Sequence, residues 1–119
     1  MRNLITILVL LGMLAASPTG RAEDFIEGFE DVPVMPGMAV DADTAIAFDT
    51  PAGRIVEAYA AGNVSAAAIR KFYDDTLPQL GWVRVGVLAF QREGEALALE
   101  LIKKDETITV RFRLAPTPK

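Results

Sequence analysis

Apolar and polar positions follow four different rhythms along the chain, and each predicts a different element. The first is a continuous apolar run, Leu4 to Ala16, in which Thr6 is the only polar side chain. It fits the core of a secretory signal, roughly 7–15 residues, and falls short of the ~20 apolar residues that span a bilayer. Its flanks complete the pattern. Arg2 supplies a positive start, Ser17-Pro18-Thr19-Gly20 breaks the run, and Gly20 and Ala22 place small side chains where a signal peptidase requires them. The sequence therefore predicts a signal peptide over residues 1–22, cut after Ala22, and a periplasmic protein. The alternative is an uncleaved membrane anchor.

The second rhythm is irregular. Across residues 23–43 Phe25, Ile26, Phe29, Val34 and Met35 stand among seven acidic and no basic side chains, with Pro33 and Pro36 opposing helix. This segment reads as an acidic extended arm, docked on the domain or on a partner.

The third rhythm is helical, and strands flank it. Thr44–Phe48 and Arg54–Ala60 read as a hairpin around Thr50-Pro51-Ala52-Gly53, with Pro second and Gly fourth in a type I turn. Ile55 and Tyr59 share one face of the return strand, with Glu57 between them. Ser65 is placed to cap a helix in which Ile69, Phe72, Tyr73 and Leu77 form the buried stripe. Arg70 with Asp74, and Lys71 with Asp75, are spaced for ion pairs on its wet side. Pro78 and Gly81 end it.

The fourth rhythm is alternation. Trp82–Gln91, Ala96–Lys103 and Thr107–Leu114 read as three strands joined by turns at Glu93-Gly94-Glu95 and Lys104-Asp105-Glu106. In the last of them Ile108, Val110, Phe112 and Leu114 share a face. The first breaks parity, and a bulge at Gly86 would restore it. Residues 115–119 read as a flexible tail. The expected architecture is an α+β two-layer sandwich. One amphipathic helix packs on an antiparallel sheet in the order β-β-α-β-β-β over residues 44–114.

Composition narrows the function. Cleavage of 22 residues from 119 leaves 97, one domain's worth. Arg2 and Arg21 leave with the signal, so ten basic residues face sixteen acidic ones and the net charge becomes −6. That balance argues against nucleic acid and anionic membrane as partners. The chain has no Cys and no His, which removes disulfides, the commonest general base, the thiol nucleophile and the usual zinc ligands. After Ala22 the only serine is Ser65, at the helix cap. Asp41-Ala42-Asp43 and Asp74-Asp75 lack the oxygen series of a calcium loop. No catalytic, cofactor-binding or metal-binding residue is expected.

What remains is a set of contact residues. Phe25 and Phe29 lie in the arm. Trp82 follows Gly81 at the joint between helix and strand. Arg111 and Arg113 share a face of the last strand with Thr107 and Thr109, and with Arg84 they would form a strip. Two readings of that strip stay open: a solvated face with cross-strand partners such as Glu100, or a receptor for an acidic segment, of which the arm is the nearest.

Gly53-Arg54-Ile55-Val56-Glu57-Ala58-Tyr59, then Phe72-Tyr73 and Leu77-Pro78-Gln79-Leu80-Gly81-Trp82, resembles a pattern of small exported proteobacterial proteins. The Pro33-to-Gly37 run is similar to part of the same pattern. The resemblance implies export and a helix leading into a strand meander, and carries no catalytic residue. The leading expectation is a non-catalytic periplasmic binding or accessory protein that contacts another envelope protein. A small-ligand or lipid carrier is the alternative, and a carboxylate enzyme a third.

Overall fold

The computed structural model describes residues 25–26 and 29–118. The signal-peptide reading of residues 1–22 lies outside them. Among the described residues one α-helix stands on one face of an antiparallel sheet, as the periodicity predicts, and no helix is long and apolar enough to cross a membrane.

The helix α1 runs Ala66–Thr76. The Ser65 hydroxyl accepts from the Ala68 amide at 3.0 Å, a cap worth about 1 kcal/mol. Ile69, Tyr73 and Leu77, four residues apart, are fully buried. Lys71 pairs with Asp75 at 2.8 Å, whereas Asp74 faces Arg84 of a neighbouring strand at 3.5 Å. The helix tightens into a 3-10 turn at Leu77–Leu80 and stops at Gly81, whose φ of +95° suits a residue without a Cβ.

Nine strands are described: β1 (Phe25–Ile26), β2 (Phe29–Pro33), β3 (Met38–Val40), β4 (Ile46–Thr50), β5 (Gly53–Gly62), β6 (Val83–Gly86), β7 (Ala89–Arg92), β8 (Glu95–Lys104) and β9 (Thr107–Pro116). The first two form a small ribbon. The other seven form one sheet in the order β5-β9-β8-β7-β6, with β3 and β4 end to end along the free side of β5. After β5 the chain passes through α1 to the far edge and returns through the meander β6-β7-β8-β9.

The inner face of the sheet carries Val56, Ala58 and Ala60 of β5, Ile108, Val110, Phe112 and Leu114 of β9, Leu97 and Leu99 of β8, and Phe90 of β7, all buried. In β5 the inward residues are the small ones. Ile55, Glu57 and Tyr59 take the outer face, half-buried. The sequence places Ile55 and Tyr59 on one face of this strand, and the layer over the sheet covers the opposite face.

That layer includes the arm. Ile26, Phe29 and Val32 are at most 1% exposed, and the Phe29 ring lies 6.3 Å from that of Phe112. The Met35-Pro36-Gly37-Met38 turn, closed by the Met38 amide on the Met35 carbonyl at 3.1 Å, leads the arm into β3. Gly37 holds φ +93° there, the value a type II turn asks of its third residue. Of the two docking sites open to the arm from sequence, the described part occupies its own domain.

Two further elements differ from expectation. Trp82–Gln91 is not one bulged strand. It folds into the β6–β7 hairpin, with Leu88 at φ +50° in the turn. A left-handed leucine costs of order 1 kcal/mol. Burial of its side chain and a 3.0 Å bond from the Leu99 amide to its carbonyl offset that cost, and neither is visible in local sequence. At the other end, β9 continues to Pro116, and the Thr117 amide donates to the Gly94 carbonyl at 2.9 Å. The chain is therefore held through Thr117, three residues into the stretch where a free tail was expected.

Candidate functional site

The helix and the arm both cover the inner face, so the outer face is the one left for contact. Its centre is charged. On β9 Arg111 donates to Glu57 of β5 at 2.7 Å and to Glu100 of β8 at 3.1 Å, and Arg113 lies 3.7 Å from Glu57. Register places these residues side by side, with Glu100 opposite Arg111 and Glu57 opposite Arg113. The bonds to Glu57 and then Glu100 raise the Arg111 pKa further above its ordinary value. Of the two readings of the Arg111–Arg113 strip, cross-strand pairing is the one realised. The arm's acid goes elsewhere: Asp31 pairs with Arg92 on β7.

Beside this network lies an apolar patch. Phe48 of β4 is directly opposite Ile55 of β5, and Ile46 is opposite Glu57. Ile46 and Phe48 are 54% and 52% exposed, and Tyr59 continues the same face. β4 overhangs the core: even Ala47, which points to the inner side, is exposed. Sequence reading missed Ile46 and Phe48 because alternating apolar residues in a strand normally mark its core face. The available signal was that Val56, Ala58 and Ala60 form an alternative inward set on the paired strand.

The five residues singled out from sequence separate. Phe25 is 43% exposed and lines a cleft of about 370 Å³ with Val34, Met38 and Val40. Phe29 and Trp82 are buried in the chain's own core, so neither presents a contact surface. The Trp82 indole donates to the Asp31 carbonyl at 3.3 Å and lies under the Arg92 guanidinium, 4.6 Å from ring to carbon. Arg111 and Arg113 are bound to carboxylates, as above.

At one end of the sheet an open groove of about 990 Å³ is lined by Thr50, Gly53, Arg54, Glu95 and Pro116. Within it Arg54 donates to both oxygens of Glu95, at 2.9 and 3.2 Å. Among the described residues no group of three or more acidic side chains is placed to hold a metal ion. The arrangement leaves two large apolar side chains exposed on β4, beside a network of charges paired with one another.

No protein-family model matches the chain, and no match was found among curated proteins or solved structures.

Proposed function

We propose that this chain is an exported, non-catalytic interaction module that contacts another envelope protein through the β4–β5 part of its outer sheet face. One observation carries the reading: Ile46 and Phe48 stand half-exposed on the side of the sheet opposite the core. Adjacent large apolar side chains rimmed by charge are a common form of protein docking surface. The apolar run at Leu4–Ala16 supports export, and the absence of His and Cys supports a non-catalytic role. The resemblance to small exported proteobacterial proteins agrees with the same location. The arm supports the core, so the contact is assigned to the sheet face and not to a free acidic segment. A ligand carrier would need room between helix and sheet, where Phe29, Tyr73, Phe90 and Phe112 are packed at 0% exposure.

The test is capture from the periplasm by tagged wild-type protein and by Phe48→Glu, with thermal melting of both. A partner recovered by the wild type and lost with Phe48→Glu at unchanged melting temperature supports the proposal. Equal recovery by both ends it.

A further inference from the structure

Beyond the predicted signal, sulfur is confined to one turn. Cysteine is absent, and two of the four methionines, Met1 and Met13, fall within residues 1–22. The other two, Met35 and Met38, open and close the turn that leads the arm into β3. Both are half-buried and pack against the core, so their thioethers help hold the arm down yet stay within reach of a small solute. The backbone between them has little slack. The Met35 amide donates to the Tyr73 hydroxyl, and Met38 lies opposite Gly62 in the β3–β5 ladder. A Cβ on Gly62 would come within 3.1 Å of the Met38 Cα, and a Cβ on Gly37 would lie 3.1 Å from the Val64 Cγ1.

We propose that Met35 and Met38 form an oxidation-sensitive latch: a hydroperoxide converts them to sulfoxides and thereby releases the arm from the core. In that step the thioether sulfur gives an electron pair to one peroxide oxygen. The O–O bond breaks, an S–O bond forms, and the other oxygen leaves as water with the proton of the transferred one. The product is polar where the thioether was apolar. Against apolar neighbours a sulfoxide oxygen finds no donor and is driven toward water. The turn is wedged against Gly62 and Val64 and cannot shift locally to let it out, so the change passes to the Met35 amide, its bond to Tyr73 and the end of β2 at Pro33. A thiol-dependent sulfoxide reductase restores the thioether, its dithiol becoming a disulfide and the oxygen leaving as water, so the latch is reversible. It is independent of the β4–β5 contact.

The test treats the purified protein with dilute hydrogen peroxide, places the oxygen gained by peptide mapping and follows amide exchange. The expected result is oxygen at Met35 and Met38, exchange about tenfold faster at the Met35 and β2 amides, and α1 amides that keep their protection. Methionine sulfoxide reductase with its thiol reductant then returns the original rates. The double variant Met35→Leu/Met38→Leu, close in volume, is expected to keep slow exchange in peroxide. If that variant does not fold, the reversal in wild type decides. Oxygen at both sulfurs with unchanged exchange, loosening that persists in the double variant or survives the reductase, or α1 loosening in step with β2 overturns the proposal. So does a wild type whose two thioethers resist peroxide.

Discussion

The Tyr73 hydroxyl donates to the Pro33 carbonyl at 2.8 Å and accepts from the Met35 amide at 3.2 Å, tying helix to arm across 40 residues of sequence. The group is buried, with its ring edge-on to Phe112 at 5.6 Å. Replacing Tyr73 by Phe keeps the ring and strands a carbonyl and an amide. The expected loss is about 1–3 kcal/mol of unfolding free energy, measured in denaturant with little change of slope.

The same hydroxyl predicts an alkaline limit. Burial is the larger influence and raises its pKa, while the Met35 amide opposes that rise. In the unfolded chain a tyrosine ionises near pH 10. The folded pKa is the higher one, so this contribution is complete below about pH 10 and is lost as pH climbs from there toward the folded value. Stability measured from pH 8 upward should therefore fall more steeply in wild type than in Tyr73→Phe. Parallel curves would show that the hydroxyl is free to ionise in the folded protein.

Arg92 clamps three elements. It donates to the Leu80 carbonyl at 2.8 Å, pairs with Asp31 of the arm and covers Trp82. Arg92→Ala removes all three contacts and should cost about 1–3 kcal/mol, more than Asp31→Ala, which removes one. Amide exchange distinguishes where the loss falls: Asp31→Ala is expected to speed exchange at Val32 while the α1 amides keep their protection.

Gly62 admits no side chain. A Cβ there would lie 2.2 Å from the Gly37 carbonyl oxygen, between β5 and the turn that ends the arm. Gly62→Ala is expected to cost about 1–3 kcal/mol by forcing the backbones apart. Gly86→Ala is the control, because its nearest contact would be an ordinary 3.6 Å. Equal melting temperatures for the two variants would contradict the crowding argument.

Export predicts its own product. Protein recovered from the periplasm should begin at Glu23 and lack the first 22 residues by intact mass. A chain that still carries Met1 and partitions with membranes would replace the export reading with an anchor.

By itself the sequence determined the elements whose cause is local. The Ser65 cap, the Ile69–Tyr73–Leu77 stripe, the stop at Gly81 and the alternation of β9 all follow from side chains acting on their own backbone or on a face of fixed period. The hairpin around Pro51 and Ala52 belongs here too, with the Thr50 hydroxyl accepting from the Ala52 and Gly53 amides at 3.2 Å. Tertiary structure decided everything that depends on which of two faces is covered. The arm, irregular and acidic, looked available to a partner; only the fold shows Phe29 against Phe112 and Asp31 beside Arg92. The β4 pattern read only as one arm of a hairpin, and the choice of Val56, Ala58 and Ala60 as the inward set of β5 is what turned Ile46 and Phe48 out. The physical reason is that alternation fixes which residues share a face but not which face meets the helix. That choice is made by packing between segments far apart in the chain.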